Sequence, residues 1–323
     1  MVSRILKTLV SPVRGLHQAA YLLAALTLAS QVLALARDRL FAHNFGAGEV
    51  LDLYYAAFKV PDVVFALVAS LVSAYVIIPR IAKADPEEAR RLLSHSASFL
   101  LVGGGVICLL LALIAPSFLF LLFPTFVGSP HAGEFVFLAR ILLIQPILLG
   151  LSGILTSVTQ IHRRFALFAL SPVLYNVGII FGTIVLYPMF GLPGIGIGVV
   201  LGAFLHLAIH IPVVMQAKLM PRLVFPSPSL IWSVMKSSIP RSLALGMSSI
   251  ITLLLISLAS RTSTGGVAVY TFAGNLEAVP LSLIGASYAT AAFPVMAEHM
   301  GASRLKEFKE TLTAAARHII FWS

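Results

Sequence analysis

Charged residues are scarce in this sequence. Only 11% of its 323 residues are Asp, Glu, Lys or Arg, whereas 59% are hydrophobic, and the mean hydropathy is +0.99. Because a soluble domain usually carries about a quarter charged residues, this composition excludes an ordinary soluble protein. The apolar runs are long enough to cross a bilayer and predict an all-α integral membrane protein, folded as a polytopic helical bundle.

The residue sets that enzymes and metal sites need are also missing. The one cysteine, Cys108, excludes a disulfide framework and a cysteine-based metal cluster. His206 and His210 are four residues apart and share a helix face, but no third ligand accompanies them. No Ser-His-Asp set, pair of catalytic carboxylates or phosphate-binding GxxxxGK loop stands out. The sequence therefore predicts no enzyme, no metal and no cofactor.

The basic residues are distributed as in a membrane protein. The net charge is +10, but no basic groove with interleaved aromatic residues occurs, so no nucleic-acid partner is expected. If the apolar runs cross the membrane in turn, most Lys and Arg residues fall on the side of the N-terminus. Only Arg37, Arg39 and Arg261 fall in segments on the other side. Cytoplasmic segments carry the excess of Lys and Arg, so we expect a multi-pass protein with a cytoplasmic N-terminus.

Nine apolar runs organise the chain. They cover residues 18–36, 53–78, 95–123, 135–160, 165–187, 195–217, 238–260 and 267–293, with a ninth beginning near 311. We expect a cytoplasmic N-terminus over 1–17, one complete six-helix lobe over 18–217 and the start of a second lobe over 218–323. Because the sequence ends inside an apolar run, we expect an N-terminal fragment that holds only the first two to three helices of the second lobe.

A glycine turn followed by a helix occurs twice. The segment FGAGEVLDLYYAAFKVP, residues 45–61, is echoed six spans later by STGGVAVYTFAGNLEAVP, residues 263–280. An even number of intervening spans makes the two copies parallel, as in transporters built from two lobes about an axis along the membrane normal.

Two local patterns predict how helices begin and pack. Asp85, followed by Pro86 and two glutamates, predicts the N-cap of a short amphipathic helix at the membrane surface. Glycines recur every four residues in two other segments and predict close helix–helix contacts; they are Gly194, Gly198 and Gly202, and Gly178 and Gly182.

A charged corner over residues 30–62 is the main candidate site. Arg37 and Asp38 end one apolar run, a turn with Gly46 and Gly48 follows, and the next run carries Asp52, Lys59 and Asp62. Charges inside hydrocarbon are costly, so they usually face a protein interior or a watery cavity. Arg37 either binds a phosphate or snorkels to the interface, with the first favoured. Lys59 and Asp62 either contact substrate or neutralise each other, and Asp52 is expected to be a helix cap.

The chain resembles the MurJ (MviN) family, lipid II flippases of the multidrug/oligosaccharidyl-lipid/polysaccharide exporter superfamily. The similar stretches are ARDRLFAHNFGAG, DLYYAAFKVPD, SPVLYNVGII, FGLPGIGIGVVLGAFLHLAIHIP and the helix ending in FPVMAEH, which lie in family order over about the first two-thirds of a member. The resemblance implies a bacterial inner-membrane transporter, surrounded by membrane lipids, that moves the undecaprenyl-pyrophosphate-linked peptidoglycan precursor to the outer leaflet by rocking two lobes around a cationic cavity. It implies family positions for Arg37, Asp38, Asp52, Lys59 and Pro61.

Several family charges are replaced here. The family pattern has Arg at Gln31, paired Arg at Phe65 and Ala66, Glu at Ser70 and Arg at Asn275, with Glu277 two residues on. The predicted substrate-binding residues are Arg37, Asp38, Lys59, Asp62, Asn275, Glu277 and Gln31. The predicted structural residues are Asp52, Gly46, Gly48 and Pro61.

Two other functions stay open. One is export of a different polyprenyl-linked glycan or a small molecule, because the lost arginines weaken the case for lipid II. A drug exporter should have an acidic cavity and a pyrophosphate carrier a net positive one, but Arg37 and Lys59 are balanced by Asp38 and Asp62. The other is a degenerate membrane scaffold that does not transport. The oligomeric state is not predicted.

Overall fold

The structure is a computed structural model that describes residues 16–280, 296, 299 and 304–322. Every regular element in these residues is helical. Two compact units, residues 1–268 and 269–323, are described separately. The helices are α1 Leu16–Phe45, α2 Glu49–Leu67, α3 Ala74–Ile81, α4 Pro86–Phe99, α5 Gly105–Leu122, α6 Ala132–Leu142, α7 Gln145–Ile161, α8 Phe165–Phe181, α9 Tyr187–Phe190, α10 Leu192–Ala208, α11 Ile211–Gln216, α12 Pro228–Ala259, α13 Gly266–Pro280 and α14 Leu305–Trp322.

Six helical stretches of the described residues are long and apolar enough to cross a membrane. They are Glu49–Ile81, Pro86–Leu122, Ala132–Ile161, Phe165–Phe190, Leu192–Gln216 and Pro228–Ala259. They coincide with the predicted second to seventh runs, and the predicted membrane-protein class is confirmed. The first run lies within the 30-residue helix α1.

The outer parts of the prediction are only partly covered. Residues 1–15 of the predicted cytoplasmic N-terminus and residues 281–293 of the eighth run lie outside the described residues. The ninth run begins inside α14, which starts at Leu305. The predicted lobe boundary at 217/218 differs from the division at 268/269, because α12 packs on α2 in the first unit. The lobe boundary stays a prediction.

The helix that begins at Pro86 differs from its prediction. Asp85 is its N-cap, and its carboxylate accepts hydrogen bonds from the amides of Glu87 and Glu88 at 2.9 and 2.8 Å. The helix is not a separate surface element, because it runs for 37 residues to Leu122. The glycines at 103–105 could have ended the helix. Instead, a π-helical turn at Leu100–Gly104 connects α4 directly to α5, which begins at Gly105.

The glycine repeats make the close contact that their spacing predicts. A Cβ atom on Gly178 would lie 2.3 Å from Gly202 Cα, and one on Gly198 would lie 2.4 Å from Gly182 Cα. Helices α8 and α10 therefore touch backbone to backbone, which only glycine permits.

The second span is broken near its middle. Helix α2 ends at Leu67, a 3₁₀ turn covers Ala69–Val72, and Ser73 is extended, with φ −72° and ψ 160°, before α3 begins. Helix α12 covers this break, where Ser238 Oγ donates a hydrogen bond to the Leu71 carbonyl at 2.7 Å. The Leu71 carbonyl, which the break leaves without a helical partner, therefore has a hydrogen-bond donor inside the protein.

The same face of α12 continues along the second span. Ser242 Oγ lies 2.7 Å from Ser70 Oγ, and a Cβ atom on Gly246 would lie 2.1 Å from Leu67 Cδ2. Ser238, Ser242 and Gly246 are four residues apart and form a stripe of small residues. We call it the α12 small-residue stripe. It brings the two helices close together.

A hydrophobic core of the first unit lies among α3, α4, α7 and α12. Ile77, Leu93, Ile154 and Val234 are fully buried there, one from each helix. Conversely, α5 carries large exposed apolar side chains, such as Leu113 at 66%. An apolar exterior of this kind matches a surface that faces lipid.

Candidate functional site

The guanidinium of Arg37 is held inside the first unit by two neighbours. Its Nε and Nη2 donate to Asp38 Oδ1 at 3.1 and 2.8 Å, and its Nη1 donates to Asn176 Oδ1 at 3.0 Å. Asn176 lies on α8, 139 residues away in sequence, and its own amide nitrogen donates to the Pro172 carbonyl at 3.0 Å. Only 18% of the Arg37 side chain is exposed. The geometry is that of an anchored interior arginine and not of a side chain that snorkels to the interface.

Arg37 borders a cavity of about 350 Å³ between α1 and α8. The α1 wall follows one helix face through Thr27, Ser30, Gln31 and Ala34 to Arg37. The α8 wall includes Pro172, Tyr175 and Asn176. Gln31 thus shares the cavity with Arg37, with its uncharged amide where the family pattern has an arginine.

Aromatic side chains surround the inner end of this arginine. The Phe41 ring lies 6.0 Å from Arg37 Cζ and packs edge-on against Tyr54 at 5.1 Å between ring centroids. Phe41, Tyr54 and Tyr55 are all buried. The cluster fixes the end of α1 against α2. It also excludes water from one side of the ion pair, which strengthens its electrostatic interactions.

Lys59 and Asp62 form a separate ion pair on α2. Lys59 Nζ lies 3.1 Å from Asp62 Oδ2, and the two side chains are 17% and 39% exposed. Neither residue lines the cavity beside Arg37. The pair therefore shows the mutual neutralisation that the spacing allows, and a role in substrate contact stays a prediction.

Asp52 caps a helix other than the one that the sequence indicates. It lies in the first turn of α2, whose N-cap is Gly48, and it is 2% exposed. Its carboxylate accepts hydrogen bonds from the Gly265 amide at 2.6 Å and the Ala268 amide at 2.8 Å. These amides belong to the start of α13. Asp52 is therefore not the expected cap of its own helix. It caps α13, a segment far from it in the sequence.

The two glycine turns of the internal repeat meet at this point. Gly46 ends α1 with φ +61°, and Gly265 has φ +86°, so both adopt a backbone that favours glycine. A Cβ atom on Gly265 would lie 2.1 Å from the Ala47 carbonyl oxygen. Pro61, the remaining predicted structural residue, is buried inside α2.

Asn275 and Glu277 lie on the part of α13 that belongs to the second unit. Asn275 is half-buried and Glu277 is exposed. Their relation to Arg37 stays a prediction.

A second polar network connects α7 with His206 on α10 and with His210, the N-cap of α11. His210 is fully buried, and its Nε2 and Nδ1 lie 3.0 and 3.1 Å from the hydroxyls of Thr156 and Thr159. His206 Nδ1 lies 2.7 Å from Ser152 Oγ. No group of three potential metal ligands occurs within the described ranges. The histidines serve as interhelical hydrogen-bonding groups. The signal for this network in the sequence was the helical spacing of the hydroxyl residues Ser152, Thr156 and Thr159 on α7.

Asn176 is the site residue that sequence reasoning undervalued. It makes an interhelical hydrogen bond to Arg37 at the cavity wall. A polar residue about one helical turn after Pro172, in an otherwise apolar run, is the only local signal.

Comparisons with known proteins agree with this architecture. The family model described as "Lipid II flippase MurJ" matches residues 41–323. The lipid II flippase MurJ of Burkholderia cenocepacia is 24% identical over 298 residues, which cover 88% of this chain and 57% of the relative. The probable lipid II flippase MurJ of Haemophilus influenzae is 27% identical over 297 residues, which cover 85% of this chain and 57% of the relative. The chain thus spans less than two-thirds of the length of these relatives.

Solved structures show the same fold. A lipid II flippase MurJ in an inward closed conformation superposes with a TM-score of 0.76 at 23% identity, covering 94% of this chain and 63% of that one. An inward-facing multidrug resistance MATE family transporter of the MOP superfamily superposes with a TM-score of 0.70 at 22% identity. The match covers 91% of this chain and 70% of that one. The family match extends over most of the sequence, and the chain therefore belongs to the MurJ lipid II flippase family.

Proposed function

We propose that this chain takes part in flipping lipid II, the undecaprenyl-pyrophosphate-linked peptidoglycan precursor, by alternating access between two lobes. The observation that carries the proposal is the anchored Arg37, which borders a cavity between α1 and α8 together with Gln31 and Asn176. The family relationship supports the same substrate class.

The chemistry of Arg37 suits a pyrophosphate. A guanidinium has five N–H donors, and here one each on Nε, Nη1 and Nη2 is used by Asp38 and Asn176. The remaining donors can bind phosphate oxygens in a forked geometry. Asp38 and Asn176 hold the group in place before substrate arrives, which lowers the entropy cost of binding.

The cavity would shield the polar headgroup while the polyprenyl tail stays in lipid, because polar groups are costly to place in hydrocarbon. In the proposed orientation the N-terminus is cytoplasmic and the protein lies in the bacterial inner membrane. Outward movement of an anionic headgroup would then follow an inside-negative potential, which is worth about 2.3 kcal/mol per charge per 100 mV.

Complementation tests this proposal. A bacterium depleted of its own flippase would express the full-length gene, as wild type or with Arg37→Ala. We expect wild type to restore growth and Arg37→Ala to fail, because loss of a charged hydrogen bond of about 1.5–3 kcal/mol weakens binding by about tenfold or more. Arg39→Ala is the matched control, since Arg39 is the neighbouring arginine and is exposed. Equal rescue by both variants would remove Arg37 from the mechanism.

A second candidate is transport of another polyprenyl-linked glycan. The observation that favours it is Gln31, which leaves Arg37 as the only formal cation among the residues that line this cavity. Purified protein that binds an undecaprenyl-pyrophosphate glycan lacking the peptide as tightly as lipid II would support this alternative.

A further inference from the structure

A second cavity, of about 600 Å³, opens at the end of the second span remote from Asp52. It lies where α3, α4 and the start of α12 meet. Its polar lining comprises Arg80, Glu88, Arg91, Ser227, Ser229 and Ser233. We call it the α3–α12 pocket. None of these residues belongs to the site around Arg37.

Arg80 is fixed in this pocket by neutral acceptors. Its Nη1 donates to Ser233 Oγ at 2.8 Å, and its Nη2 donates to the Ser233 carbonyl at 2.5 Å and to Ser237 Oγ at 3.0 Å. Throughout the described part of the chain, no carboxylate forms an ion pair with Arg80 or Arg91. The pocket therefore holds two guanidinium charges that no ion pair neutralises.

The start of α12 adds further hydrogen-bond donors. Ser227 is its N-cap, but the Ser227 side chain makes no capping bond, and the first turn contains no acidic residue. The positive end of a helix of 32 residues thus borders the same space as the two arginines, because Ser227 and Ser229 line the pocket. The hydroxyls of Ser227 and Ser229 complete a lining in which Glu88 is the only carboxylate.

The depth of the pocket matches the headgroup layer. At 1.5 Å per residue α12 is about 48 Å long, whereas the hydrocarbon core is about 30 Å thick. Arg241 lies just over one helical turn from Ser237, towards the middle of α12. Its Cζ lies 3.6 Å from the centroid of the exposed Tyr75 ring, so the two side chains stack. Arginine and tyrosine are typical of the membrane interface. The pocket lies beyond this pair, on the side where Lys and Arg are in excess.

We propose that the α3–α12 pocket binds a phosphate-bearing anion, either the phosphodiester of an anionic lipid headgroup or free phosphate. Guanidinium groups, hydroxyls and a helix N-terminus together recognise phosphate oxygens. Basic pockets between helices on the cytoplasmic side commonly take anionic headgroups. The volume leaves room for a headgroup around the phosphate.

Binding measurements on the full-length protein test the site. One arm measures inorganic phosphate binding in neutral detergent by calorimetry. The other arm measures thermal stabilisation in phosphatidylcholine nanodiscs with and without phosphatidylglycerol. Arg91→Gln should weaken the response by about tenfold, the size of one charged hydrogen bond. Arg90→Gln is the matched control, because it removes the same charge one residue away, outside the pocket lining.

A change of opposite sign sharpens the test. Glu88→Gln removes the opposing carboxylate and should strengthen binding several-fold, whereas Glu87→Gln, outside the lining, should not. A response to phosphatidylglycerol alone identifies a lipid headgroup, and a response to phosphate in detergent identifies the free anion. Equal effects of Arg91→Gln and Arg90→Gln, or no response in either arm, would overturn the proposal.

Discussion

Buried charge is used in two ways in the first unit. Arg37 keeps donors available at a cavity because Asp38 and Asn176 occupy only part of its guanidinium. Asp52 instead uses both oxygens of its carboxylate to accept hydrogen bonds from the Gly265 and Ala268 amides. The first arrangement suits binding of an anion, and the second suits a structural contact that fixes where α13 begins.

Replacing Asp52 by alanine tests the structural role. Asp52→Ala leaves the Gly265 and Ala268 amides without their acceptor at a buried position, which costs about 1–3 kcal/mol for each group left unsatisfied. We expect a clear loss of thermal stability of the purified protein in detergent. Asp85→Ala is the control, since it removes an exposed cap worth about 1 kcal/mol. A smaller loss for Asp52→Ala than for Asp85→Ala would contradict the inter-segment cap.

At the scale of elements, close packing is built from small residues. Gly178, Gly182, Gly198 and Gly202 bring α8 and α10 into backbone contact. The α12 small-residue stripe does the same against the broken second span. Small residues allow such approaches because, in lipid, helices associate through close packing and hydrogen bonds instead of the hydrophobic effect.

Gly198→Ala tests the first of these contacts. The new methyl group would lie 2.4 Å from Gly182 Cα, so α8 and α10 must separate, and overpacking of this kind costs about 1–3 kcal/mol. We expect a lower midpoint of thermal unfolding. Gly153→Ala, on α7, is the matched control, because no atom of another segment lies within 4 Å of its Cβ position. It should be neutral or slightly stabilising, since alanine favours helix. Equal destabilisation by both changes would exclude the packing explanation.

At the scale of the whole molecule, the proposed alternating access would require contacts along the second span to break in turn. At one end of this span Asp52 caps α13, and near the break Ser70 and Leu71 contact the α12 small-residue stripe. Both sets of contacts are made in this conformation. Transport by rocking lobes would release one set while keeping the other.

A reversible cross-link tests this motion. Ser70→Cys with Ser242→Cys, in a Cys108→Ser background, places two thiols where the hydroxyl oxygens are 2.7 Å apart. Oxidation of the full-length protein should form the disulfide and abolish lipid II flipping in proteoliposomes, and reductant should restore it. Each single-cysteine variant is the control and should keep its activity after oxidation. Unchanged flipping by the cross-linked protein would show that α12 and the second span stay together.

The sequence alone predicts the class of protein, the second to seventh spans, the Asp85 cap and the glycine contacts. These depend on apolar length, on chemistry within one helical turn and on four-residue periodicity, all of which are local. It also singled out Arg37, since a charge among apolar residues is rare. Only the tertiary structure decided that Asp52 caps α13, that Asn176 holds Arg37 and that Arg80 and Arg91 share a pocket with the start of α12. Each of these pairs residues on separate elements, and a local pattern does not say which helix faces will meet.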